Sequence, residues 1–133
     1  MPIKATARRR EGYTHDVEVD GHTLVVDEPE HAGGADLGPS PTRIAAASLA
    51  ACTAITAEMY AGRKGWELGQ MEVDVEVEHE GPVPTSFTVT MRVECELDDE
   101  QLERLRVIAG KCPIHKALAT ETPVSIEDRI ERL

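Results

Sequence analysis

A chain of 133 residues with 25 acidic against 14 basic side chains is one domain's worth of sequence at a formal net charge of −11. That balance argues against nucleic acid and anionic membranes as partners, because phosphate binding runs on Lys and Arg. Aromatic residues make up only 3%, so the core has to come from Val, Leu, Ile, Ala and Met, and no run approaches the roughly 20 uninterrupted apolar residues of a membrane helix.

The stretch from Met1 to Arg10 is basic but lacks the apolar segment of a secretory signal, which points to the cytoplasm. Lys4 to Arg10 reads as a strand, with Arg8 to Arg10 as its solvated end. His15 to Asp20 alternates around Val17 and Val19, Asp20-Gly21 is a hairpin turn signal, and His22 to Val26 is the returning strand. From Glu28 to Ser40 the chain is rich in Pro, Gly and Asp, which predicts a loop.

At Ser40 the character changes. Ser40 can cap a helix and Pro41 suits its first turn, where a proline loses no needed hydrogen bond. Apolar residues then occupy nearly every face from Ile44 to Met59, and a helix apolar all round is expected to be buried all round. Lys64-Gly65 closes it. Met71, Val73, Val75 and Val77 alternate with Glu72, Asp74, Glu76 and Glu78, which predicts a strand with one core face and one acidic, wet face. Phe87 to Leu97 repeats the pattern after a Gly81-Pro82 turn. Asp98 to Gly110 is an amphipathic helix, Cys112-Pro113 starts a short one through Leu118, and Pro123 to Ile130 is a last strand or an irregular tail. With neither internal repeat nor linker, residues 1–133 read as a single α+β domain.

Three cysteines is an odd number, so a disulfide framework is disfavoured and catalytic, redox or metal-binding thiols rise. Cys95 sits in phase with the core face of its strand and reads as a small hydrophobe. Cys52 lies midway along the apolar helix. Composition alone favours another small core residue there, and reactivity would need a cation from elsewhere in the fold. Cys112 precedes Pro113 at a helix start with Lys111 and His115 within a turn, features that lower a thiol pKa. The Cys112-x-x-His115 spacing also admits a metal, but one such pair supplies two ligands and no second pair of zinc spacing exists. Neither metal nor cofactor is expected.

The run Gly33-Gly34-Ala35-Asp36-Leu37-Gly38-Pro39-Ser40-Pro41, followed by Leu49-Ala50-Ala51-Cys52-Thr53-Ala54, resembles the heart of the OsmC/Ohr family. Cys112-Pro113-Ile114-His115-Lys116-Ala117-Leu118 resembles that family's second cysteine motif, and Asp27-Glu28-Pro29 is similar to the same region in one subgroup. The resemblance implies a two-layer α+β fold, with a buried central helix packed on antiparallel sheets, in an intertwined homodimer. It also implies reduction of organic hydroperoxides without a metal. Cys52 would be the peroxidatic thiolate, oxidised to a sulfenic acid. Cys112 would condense with it to a disulfide, which a dithiol reductant (a lipoylated protein or a small thiol) resets.

Two departures from the family pattern bear on activity. The arginine that holds the thiolate in the family is best matched by Arg10. The Glu that braces that arginine is replaced by Thr42 and Arg43, so Arg10 is expected to be looser and Thr42→Glu to speed the peroxide step, unless Glu11, Asp27 or Glu28 already braces it. Arg43 and Cys52 are nine positions apart and so face opposite sides of one helix. The alternative is a stress-response or binding protein of this fold, with little turnover, that holds a small lipophilic ligand. Both retained cysteines favour the enzyme, the lost Glu the binder.

Overall fold

A computed structural model describes residues 2–120 and 123–133. The chain forms two compact units, Met1–Ala47 and Ser48–Leu133, with the boundary inside the long helix α1 (Pro41–Lys64).

The first unit is an antiparallel sheet in the order β1 (Ala5–Glu11), β2 (Thr14–Val19), β3 (His22–Val26). Asp20 and Gly21 make the β2–β3 turn with φ of 49° and 80°. Two positive φ values match the right-handed twist of the flanking strands, which is why this dipeptide works there. Arg8 and Arg10 pair diagonally with β2 on its exposed side: Arg8 with Glu18 at 2.9 Å and Arg10 with Asp16.

The loop from Asp27 to Ser40 folds back on the end of β3 around one buried carboxylate. Asp27 is 1% exposed. It accepts from the Thr14 hydroxyl at 2.7 Å and from the peptide N–H groups of Glu28, Ala35 and Leu37 at 2.7, 3.4 and 3.3 Å. These donors hold its carboxyl below the ordinary carboxylate value, the Thr14 bond first, against the opposing effect of burial. The close return also explains two glycines. A Cβ on Gly34 would lie 1.9 Å from the Glu28 carbonyl oxygen, and one on Gly38 would lie 2.1 Å from that of Val25.

The second unit holds the hairpin β4 (Leu68–Glu80) and β5 (Val83–Cys95), then α2 (Asp99–Ala109) and α3 (Pro113–Leu118). Glu80 pairs with Val83 across Gly81-Pro82, and alternation carries Val73, Val75, Val89 and Met91 to the sheltered face. Asp98 caps α2 in a reciprocal pair with Gln101, each side chain bonding the other's backbone N–H. Ala57 and Ala61 of α1 meet Leu105 and Ala109 of α2 in the core, ringed by Tyr60, Trp66, Leu68, Met71, Met91 and Leu97.

Helix α1 departs from the expectation of burial all round. Within one chain only the stripe Leu49, Thr53, Ala57, Ala61 is buried, one residue per turn. Ala51 is open, Ile55 is 50% exposed and Met59 61%. The helix is also long and apolar enough to cross a membrane by length and composition, with a mean hydropathy of 1.4 over an 18-residue window, although polar residues interrupt its apolar run. Its buried stripe against α2 makes it the core helix of this unit. Residues 123–133 form the irregular tail rather than a strand, with Val124, Ile126 and Ile130 exposed. Cys95 lies half-buried on the sheltered face of β5, opposite Leu68.

Candidate functional site

Helix α1 and the α2–α3 junction bring Cys52 and Cys112 together. After Ala109 the chain turns tightly, with the N–H of Lys111 on the Ile108 carbonyl and that of Cys112 on the Ala109 carbonyl. Pro113 then opens α3, where the missing N–H is no loss. Cys112 stands at the cap and its Sγ accepts the His115 N–H at 3.3 Å. It is fully buried, whereas Cys52 is half-buried. The two thiols are neighbours close enough for Cys52 to raise the pKa of Cys112, and all three cysteines are free thiols.

Local sequence features predicted a lowered pKa at Cys112, and the fold reverses that. Burial pushes this thiol up, the Cys52 sulfur pushes it further, and the opposing bonds from the His115 N–H and the Thr53 hydroxyl are weaker. Cys112 is therefore a protonated thiol at neutral pH.

Thr53, the neighbour of Cys52, belongs to this cluster and went unremarked in the sequence. It is 4% exposed, its hydroxyl donates to the Leu49 carbonyl at 2.8 Å, and it is near enough to Cys112 to favour the thiolate weakly. The signal for it is weak: a polar residue on the most buried stripe of an alanine-rich helix. His115 is half-buried, and its Nδ1 is sealed from solvent without a hydrogen-bond partner.

Thr53 and His115 both line a cavity of about 630 Å³ whose walls include Phe87, Val89, Met91 and Val93 of β5 and Leu102 of α2. The β5 wall is apolar, while Thr90, Asp99, Glu103 and Arg106 add polar and charged groups, so the space suits a small molecule with both apolar and polar parts.

Arg10 belongs to the first unit. Its guanidinium grips Asp16 through Nη2 at 2.6 Å and Nε at 3.2 Å, in the two-pronged geometry that planar guanidinium favours. Neither Glu11, Asp27 nor Glu28 braces it. Asp27 spends its oxygens on Thr14 and the loop amides, and Arg10 meets Asp16 diagonally across the β1–β2 pair. Arg43 donates to the Ser40 hydroxyl at 2.9 Å.

The sequence profile of the OsmC-like protein family matches residues 33–127. Among solved structures, the chain is similar to an OsmC-like protein from Mycoplasma pneumoniae at 17% identity and a TM-score of 0.78, over 90% of this chain and 88% of that one. An organic hydroperoxide resistance protein OsmC from Legionella pneumophila matches at 22% identity and 0.65, over 89% of each chain. The organic hydroperoxide resistance protein OhrB of Bacillus subtilis matches at 27% identity and 0.58, over 87% of this chain and 89% of that one. No curated protein sequence matches the chain.

Proposed function

The chain belongs to the OsmC-like protein family, and from that premise we propose that it is a cysteine-based peroxidase that reduces organic hydroperoxides. The Cys52 thiolate attacks the distal peroxide oxygen, the O–O bond breaks and an alcohol leaves, so that Cys52 becomes a sulfenic acid. Cys112 condenses with it, releasing water and closing a Cys52–Cys112 disulfide. A dithiol, either a lipoylated protein or a small thiol, then reopens the bond by thiol–disulfide exchange. The observation that carries this reading is the meeting of the two thiols, from helices far apart in sequence, beside Thr53 and His115.

Arg10 is the cation assigned to Cys52, because a guanidinium stays charged when desolvated. Asp16 supplies the brace that Thr42 and Arg43 do not. The unit of function is a homodimer, in which a second copy covers the open face of α1. A cytoplasmic setting fits free thiols that need a dithiol partner.

The cavity also favours a second reading, a lipophilic-ligand binder of the same fold with little turnover. Thiol counting with peptide mass spectrometry, before and after a stoichiometric amount of cumene hydroperoxide, separates the two. The peroxidase loses two thiols as a Cys52–Cys112 cross-linked peptide and keeps Cys95 reduced. An unchanged thiol count leaves the binder.

A further inference from the structure

We propose that Thr53 and His115 ionise Cys112 for the disulfide-forming step, an assignment that rests on the peroxidase reading. The Thr53 hydroxyl steadies the attacking sulfur, while the His115 imidazole takes its proton and returns it to the departing hydroxide.

The need arises from burial. Cys112 is fully buried and held as a thiol, and a thiol is a poor nucleophile beside its thiolate. Solvent does not reach it, so its proton has to leave through a protein group. Two side chains, one from each helix, stand near it. The Thr53 hydroxyl has one proton, given at rest to the Leu49 carbonyl, and the Cys112 sulfur is a neighbour to which it can turn. Leu49 keeps its helical N–H partner when the hydroxyl turns away, so the rotation strands no carbonyl.

His115 already touches the sulfur through its peptide N–H. Its Nδ1 is the one buried side-chain nitrogen or oxygen without a partner among the described residues. Buried polar atoms are nearly always paired, and an exception calls for a role. The imidazole lines the same cavity as Thr53, and bonds of catalytic groups that are open at rest close in the reacting complex.

The step balances without an outside oxidant. Cys112 gives its proton to Nδ1 and its sulfur attacks the Cys52 sulfenic sulfur. The S–S bond forms, the S–O bond breaks, and the oxygen leaves as water carrying the proton back from the imidazolium. The Cys52 sulfur is reduced by one level and the Cys112 sulfur oxidised by one.

The test oxidises the full-length protein with cumene hydroperoxide in the presence of dimedone, and reads by mass spectrometry the ratio of Cys52–dimedone adduct to Cys52–Cys112 disulfide. Thr53→Val and His115→Gln should each raise that ratio about tenfold or more. Thr53→Ser should keep the wild-type ratio, and His115→Gln should abolish the acid-side fall in the rate of disulfide formation. Wild-type ratios and pH profiles in both Thr53→Val and His115→Gln overturn the proposal.

A second measurement needs no peroxide. In a Cys52→Ser, Cys95→Ser background, the thiolate absorbance of Cys112 should rise at higher pH once Thr53→Val is added, and coincident curves overturn the part given to Thr53. A wild-type protein that forms neither adduct nor disulfide defeats the peroxidase reading by itself, while the titration still decides the part given to Thr53.

Discussion

Asp16 on β2 holds the guanidinium of Arg10 on β1 by two hydrogen bonds, at 2.6 and 3.2 Å, across the bulge between Arg9 and Glu11. The pair is solvent-exposed, so its worth to folding is small. In the proposed mechanism it holds the one arginine assigned to Cys52, and a guanidinium beside a thiolate favours the charged, reactive form. Arg10→Ala should therefore slow Cys52 oxidation by about tenfold or more, and Asp16→Asn should slow it in the same direction by less. Thr42→Glu, a brace in a place already served, should gain little. Stopped-flow peroxide reduction by the three variants checks the order, and an Arg10→Ala protein as fast as wild type at every pH removes Arg10 from the mechanism.

Asp27 has a different task, because its oxygens are spent on Thr14 and on the loop that carries the paired glycines. Its carboxyl is held below the ordinary value, with the Thr14 bond the largest cause. The sign follows from linkage. A depressed folded pKa gives stability that is fully present above the unfolded pKa and is lost as pH falls through the lower, folded value. Thermal melts should therefore fall more steeply on acidification in wild type than in Asp27→Asn, which should start lower at neutral pH because its amide presents N–H groups to N–H groups. Parallel melting curves would assign the acid sensitivity to another carboxylate.

The same loop predicts a steric effect. Gly38 and Gly34 sit where a Cβ would meet backbone oxygens, at 2.1 and 1.9 Å, and backbone cannot swing aside as a side-chain tip can. Gly38→Ala and Gly34→Ala should each cost about 1–3 kcal/mol, the usual range for overpacking. Gly21→Ala meets nothing within 4 Å, and its strain comes from a φ of 80° alone. Chemical denaturation should rank Gly38→Ala at least as damaging as Gly21→Ala, and an unperturbed midpoint in Gly38→Ala would mean that the loop can be displaced freely.

Much of the architecture was legible because its causes are local. The β2–β3 hairpin needs only alternation and Asp20-Gly21, and β3 falls on His22–Val26 as read from the sequence. The start of α2 needs only Asp98 with Gln101 three residues on. What escaped the sequence depends on distant neighbours. The features lowering the pKa of Cys112 lie within a turn of it, but the burial that outweighs them comes from the packing of other elements around it. The Arg10 partner depends on the β1–β2 register, which leaves no composition signal. Thr53 looked like one more small residue until its stripe proved to be the buried one.

That stripe leaves an apolar face unaccounted for. On α1, Ala51, Ile55 and Met59 follow one another at one-turn spacing, and Ile55 and Met59 are 50% and 61% exposed. Fully burying a side chain of either kind gains about 1.5–3 kcal/mol, and the half or more still exposed at each leaves a second copy a corresponding share to gain. Light scattering at micromolar concentration should report a homodimer. Ile55→Glu combined with Met59→Glu should give a monomer that keeps its helical circular dichroism, because neither residue belongs to the Ala57, Ala61, Leu105, Ala109 core. Leu105→Ala is the control for the opposite outcome. It is fully buried, so its truncation should cost about 2–5 kcal/mol of stability and disturb folding before assembly. A folded wild-type monomer, or a dimer untouched by the two glutamates, would mean that α1 is not the interface.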